Sequence, residues 1–149
     1  MGELNNYVFN FNSFRLIDVH FTINSEVASK LEKGANIQIA PEIGVGYQLL
    51  DNKKVITFLE VQMIKDLAPF SFSIKGQGEF EFLNEVSQGK ELERIAYINL
   101  ASIIYPFVRE SIADLTRRLG FTPLLMAPIN FVEFYNSSAK QLEPENKAV

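Results

Sequence analysis

The hydrophobic period of this chain changes once, and that change leaves few folds open to it. Up to about residue 82, apolar residues recur at every second position, the mark of strands with one buried face. After Ser87-Gln88-Gly89 they recur at helical spacing. Strands first and helices afterwards predict an α+β layer structure. The expected form is a four-stranded antiparallel sheet, with a long C-terminal helix and a short final helix packed on one face.

The first strand should run from about Tyr7 to Ile23, with Tyr7, Phe9, Phe11, Ile17, Val19, Phe21 and Ile23 on the apolar face. The pattern slips around residues 13–15, where Phe14 and Leu16 take the apolar role, so a bulge or bend is expected there. The second strand, Ile37 to Leu49, places Ile37, Ile39, Ile43, Val45, Tyr47 and Leu49 together, with Pro41 as an edge or interruption signal. A polar turn, Asp51-Asn52-Lys53-Lys54, leads into the third, Val55 to Met63. In the fourth, Phe70, Phe72, Ile74, Phe80 and Phe82 share a face with Gly76 and Gly78. Glycine there weakens a sheet, which predicts a bend or a close approach by another element. Short connections favour antiparallel pairing of strands two to four. Residues 25–35 are too many for a tight hairpin and predict a crossover.

In the helical part, Leu92, Ala96, Leu100, Ile103 and Phe107 form one stripe, and Ile104, Val108, Ile112, Leu115 and Leu119 another beside it. So wide a surface implies burial on more than one side and therefore a multimer. Leu100, Ile103, Ile104 and Phe107 are the expected subunit-interface residues. Pro106 predicts a kink, Gly120 a helix stop, and Pro128 the entry of the final helix. Residues 1–135 read as a single domain, and the polar, aperiodic residues 136–149 as a flexible tail.

Composition narrows the function. The chain has 149 residues, enough for one domain with a real core. It has no cysteine, which removes disulfides and thiolate metal sites and suits a reducing compartment. A net charge of −4 argues against nucleic acid as a partner. No apolar run approaches the ~20 residues of a membrane span, and the N-terminus lacks the pattern of a secretory signal. A soluble cytoplasmic protein is expected. His20 is the one histidine, on the polar face of a strand with Asp18 two residues away, and that pair lacks a nucleophile. Glu79 and Glu81 also share a strand face, where solvated carboxylates are the common case. Gly44-Val45-Gly46 and Gly76-Gln77-Gly78 are not followed by the helix start that phosphate binding requires. No catalytic residue, metal ligand or cofactor is expected.

Binding suits the residues better. An unfolded polypeptide is held by apolar surface that stays partly exposed, and flexible or aromatic side chains accept many sequences. Leu124, Leu125, Met126, Phe131, Phe134 and Tyr135 have that character, and the last three fall on one face of a helix. Composition alone slightly favours the alternative, that this face docks on the sheet as core.

The segment from Ser102 to Tyr135 also resembles the C-terminal half of the SecB protein-export chaperones. The matching elements are Ile103-Ile104-Tyr105-Pro106-Phe107-Val108-Arg109-Glu110, Gly120-Phe121-Thr122-Pro123, Leu124, Ala127-Pro128-Ile129-Asn130-Phe131 and Phe134-Tyr135, in the family's order and spacing. The resemblance implies a SecB-like fold and a dimer-of-dimers homotetramer in which the long helix is sandwiched between sheets of different subunits. It implies an ATP-independent holdase for unfolded preproteins, with the second helix and the crossover walling the client groove. In that family, acidic residues on the outer sheet face contact the SecA motor. Ile17-Asp18-Val19-His20-Phe21 resembles the first strand and carries Asp18 over as a SecA contact. Thr22 and Ser73 stand where the family has acidic residues, which weakens the expected contact. Two other functions remain open: a SecB-like chaperone dedicated to one client, such as an antitoxin, and an oligomeric carrier of a small hydrophobic ligand.

Overall fold

The computed structural model describes residues 7–31, 41–66 and 68–138. Strands β1 (Phe9–Ile23), β2 (Glu42–Leu49), β3 (Lys54–Met63) and β4 (Phe70–Phe82) form one antiparallel sheet in the order β1-β4-β3-β2. A single helical turn, α1 (Ser25–Ala28), follows β1, capped by the Asn24 side chain on the Val27 N–H. Because β1 pairs with β4, the chain between β1 and β2 crosses over, as its length required. Half of that crossover, residues 32–40 with Ile37 and Ile39, lies outside the described residues, and β2 begins immediately after Pro41. The β2–β3 turn closes on Asp51, whose carboxylate accepts the N–H groups of Lys53 and Lys54 at 2.8 and 2.9 Å.

β1 departs from strict alternation twice. Phe9 and Phe11 lie opposite Phe82 and Phe80, Phe14 and Leu16 opposite Gly78 and Gly76, and Val19, Phe21 and Ile23 opposite Ile74, Phe72 and Phe70. Register shifts fall between Phe11 and Ser13 and between Leu16 and Asp18. Each extra residue reverses the parity, so residues of odd and even number all reach the apolar face. One expectation is corrected here: Ile17 is the unpaired residue of the second shift, and it is 43% exposed.

Helix α2 (Lys90–Ile95) runs through one π-wound segment, Ala96–Leu100, into α3 (Ala101–Arg118). Pro106 sits inside α3, while the departure from α winding lies a turn or more upstream, at 96–100. The Ser102 hydroxyl donates to the Ile98 carbonyl. The helix lies over β3 and β4, burying Leu100, Ala101, Ile104, Val108 and Ile112 against Val55, Leu59, Val61, Ile74 and Phe80. Close approach is possible because β4 carries glycines beneath it. A Cβ on Gly76 would stand 2.8 Å from atoms of both Phe14 and Val108, and one on Gly78 would stand 2.5 Å from Ile104 Cγ2. The glycines that weaken β4 as a strand are what admit the helix.

Leu92, Ala96 and Leu100 of the first stripe and Ile104, Val108 and Ile112 of the second are buried, so only the C-terminal part of each stripe stays partly open. Leu100 and Ile104, expected at a subunit interface, are fully buried within the protomer and keep no surface for a neighbour. Ile103 is half-buried and Phe107 is exposed, its ring stacked on Phe14 with centroids 5.2 Å apart.

Candidate functional site

Beyond α3 the chain turns at Gly120 and returns along the helix as residues 121–130, then forms α4, which continues through residue 138. Pro128 is not the first helical residue. Asn130 caps α4, its side-chain oxygen accepting the N–H groups of Val132 and Glu133 at 3.1 and 3.2 Å. The helix runs three residues past Tyr135, the expected end of the domain, and residues 139–149 lie outside the described set.

Two hydrogen bonds, one buried and one part-buried, fasten the returning segment to α3. The Thr116 hydroxyl accepts the Leu124 N–H at 2.9 Å while donating to the Ile112 carbonyl at 2.8 Å. The Tyr105 hydroxyl donates to the Ala127 carbonyl at 2.6 Å. Burial raises the Tyr105 phenol above its ordinary value, and nearby Arg109 partly offsets this. Phe131 then packs edge-on against the Tyr105 ring at 5.7 Å.

This fastening divides the six expected client-binding residues. Leu124, Met126, Phe131 and Tyr135 are buried, at 7, 6, 5 and 9% exposure, and belong to the core. Phe134 is half-buried, and Leu125 projects outward at 72% exposure. Val132, not singled out from sequence, is exposed at 44%. Residues 124–126 therefore alternate in, out, in, as an extended segment does. Along β1, Phe11, Val19 and Ile23 face the helix side yet stay at least 36% exposed, and the Phe11 ring lies 5.6 Å from that of Phe107.

The outer face of the sheet is mainly polar, with Ile56 and Phe58 of β3 among its residues. Asp18 and His20 lie there with their side chains 3.8 Å apart, both exposed. Across the strands Asp18 lies opposite Lys75, His20 opposite Ser73 and Thr22 opposite Ser71. The Lys75 ammonium sits 4.9 Å from the centre of the Phe58 ring. Among the described residues there is no metal-binding cluster, and no helix is long and apolar enough to cross a membrane.

A further group, missed in the sequence, gathers three tyrosines from three elements. Tyr97 of the π segment lies 6.4 Å from Tyr47 of β2 and 5.5 Å from Tyr135 of α4, between ring centroids. Burial first, and then the Glu93 carboxylate, raise all three phenols above their ordinary value. Sequence shows only that Glu93 and Tyr97 share a helix face; nothing in it signals that Tyr47 and Tyr135 meet them.

A family model described as preprotein translocase subunit SecB matches residues 18–142. Among curated relatives, the protein-export protein SecB of Parvibaculum lavamentivorans is 38% identical over 52% of this chain and 45% of its own length. That of Afipia carboxidovorans is 29% identical over 88% of this chain and 83% of its own, and that of Paramagnetospirillum magneticum 28% over 86% and 83%. Among solved structures, a SecB-like chaperone of Mycobacterium tuberculosis in complex with an antitoxin peptide superposes with a TM-score of 0.64 at 16% identity, over 86% of this chain and 91% of that one. A protein of unknown function from Streptococcus agalactiae gives 0.59 at 13% identity, over 82% and 98%. By the family model over most of its length, and by a fold shared with a SecB-like chaperone, this chain belongs to the SecB family.

Proposed function

We propose that the chain is an ATP-independent holdase that binds unfolded precursor polypeptides and keeps them competent for export, in the cytoplasm, as a homotetramer and without catalysis. The observation that carries this reading is the apolar surface left exposed beside a well-filled core: Leu125 at 72% and Val132 at 44%, with half-buried Phe134 in the same segment. Exposed apolar area of this kind marks interaction sites. Leu125 and Phe134 are the proposed direct client contacts; Leu124, Met126, Phe131 and Tyr135 would hold the wall from behind. The exposed strip of Phe11, Val19, Ile23 and Phe107 along β1 and α3 supports subunit assembly, with Ile103 beside it.

The test is suppression of aggregation by a slow-folding secretory precursor, with and without nucleotide and SecA. Suppression at equimolar protein without ATP is expected; a requirement for ATP would overturn the reading. Asp18 is the proposed SecA contact, so Asp18→Ala should weaken co-elution with SecA.

A chaperone dedicated to one client, such as an antitoxin, is a second reading, favoured by one observation. The strand positions beside Asp18 on the outer face carry His20, Thr22, Ser71 and Ser73, none of them a carboxylate. Suppression confined to one partner, with no co-elution with SecA, would select this reading.

A further inference from the structure

Leu124, Leu125 and Met126 are three large apolar residues in a row, and an extended segment can turn only one phase of them inward. Apolar contact is not directional, so hydrophobic burial does not by itself say whether Leu125 goes inside or its two neighbours do. The outcome is nevertheless sharp, with Leu124 and Met126 buried and Leu125 standing out. What separates the two phases is polar. The Leu124 N–H donates to the Thr116 hydroxyl at 2.9 Å, and the Tyr105 hydroxyl donates to the Ala127 carbonyl at 2.6 Å. Between these points the backbone groups of Leu125 and Met126 make no hydrogen bond among the described residues. Thr116 is fully buried, and its hydroxyl also donates to α3, 2.8 Å from the Ile112 carbonyl and 3.0 Å from that of Ala113, so its accepting side is held in one direction. Turning the segment about its own axis to bury Leu125 would withdraw the Leu124 N–H from Thr116 and the Ala127 carbonyl from Tyr105. Polar groups left unpaired inside a protein are costly. Pro123, next before Leu124, has no N–H to take its place.

We propose that Tyr105 and Thr116 are positioning residues for client binding: their two hydroxyls fix the phase of Leu124-Leu125-Met126 and so present Leu125 to the client. This rests on the client-binding reading and adds to it the groups that set its geometry. A wall held in one phase before the client arrives does not have to be ordered by binding. Without the hydroxyls both phases are populated, and affinity falls with the fraction of molecules that present Leu125.

The chain has no cysteine, so Leu125→Cys and Met126→Cys, made singly in the full chain, report the phase by their rates of reaction with a maleimide. With both hydroxyls in place, Leu125→Cys is expected to react at least about tenfold faster, since thiol reactivity follows exposure. Adding Tyr105→Phe and Thr116→Val removes the hydroxyls and keeps the side-chain shapes. The two rates should then converge, and affinity for an unfolded precursor, measured on the cysteine-free chain, should fall about three- to fivefold. Thr116→Ser, which keeps its hydroxyl, should leave rates and affinity near those of the wild type. A merely structural loss would lower the melting temperature without changing the ratio of rates. Should Thr116→Val prevent folding, Tyr105→Phe alone carries the test. Rates that stay as far apart without the hydroxyls, or that converge at unchanged affinity, overturn the proposal. Failure of the wild type to bind an unfolded precursor, with the labelling rates as expected, overturns the client-binding reading instead.

Discussion

A Cβ on Gly78 would stand 2.5 Å from Cγ2 of Ile104, so the long helix crosses the sheet where one residue of β4 must lack a side chain. Gly78→Ala should therefore lower stability by about 1–3 kcal/mol through overpacking, despite the entropy that alanine saves in the unfolded chain. Ile104→Ala removes the opposing methyl and is itself costly, as a large-to-small change in a core. The double variant should be less damaged than the sum of the two, by a coupling of about 0.5–3 kcal/mol. Urea unfolding of all four proteins measures that coupling; strict additivity would show that the contact is absent.

Thr57 should be improvable. It lies on the core face of β3 opposite Gly78, is fully buried, and its hydroxyl has no hydrogen-bond partner among the described residues. Valine keeps the shape and removes the unpaired group, whose burial costs about 1–3 kcal/mol. Thr57→Val is expected to raise the melting temperature, and a fall would mean that the hydroxyl finds a partner in the assembled protein.

Assembly should depend on the apolar residues of the long helix that the sheet leaves partly uncovered. Phe107 is 42% exposed and stacks on Phe14, and Ile103 is half-buried. Phe107→Asp or Ile103→Asp would place an unpaired charge in an interface, which is expensive. Light scattering at micromolar concentration should show both variants shifted to smaller species than the wild type.

Client binding and folding should separate along residues 124–135. Leu125→Ser with Val132→Ser alters exposed side chains only, so client affinity should fall about tenfold or more, from roughly 1.5–3 kcal/mol per apolar side chain buried, at nearly constant melting temperature. Phe131→Ser should instead destabilise the fold by about 3–5 kcal/mol, as loss of a core aromatic does. If the Leu125 and Val132 pair leaves affinity unchanged, the client contacts lie elsewhere.

The fold class was legible in the residues because a period of two and a period near 3.6 are each set locally, by the geometry of strand and helix. The parity slip at Phe14 and Leu16 was legible for the same reason, although it took pairing with β4 to show two bulges and to turn Ile17 out. Gly76 and Gly78 announced a close approach, since a strand keeps glycine on its buried face only at a cost, but not which element would come. The site was less accessible. Spacing put Phe131, Phe134 and Tyr135 on one face of a helix, but a face does not say what it meets. That was decided by tertiary hydrogen bonds, Tyr105 to Ala127 and Thr116 to Leu124, which hold the segment against the helix while Leu125 and Val132 stay outside. The meeting of Tyr47, Tyr97 and Tyr135 is likewise a product of tertiary packing, because residues up to 88 positions apart in the chain share an environment only once sheet and helices have closed on one another.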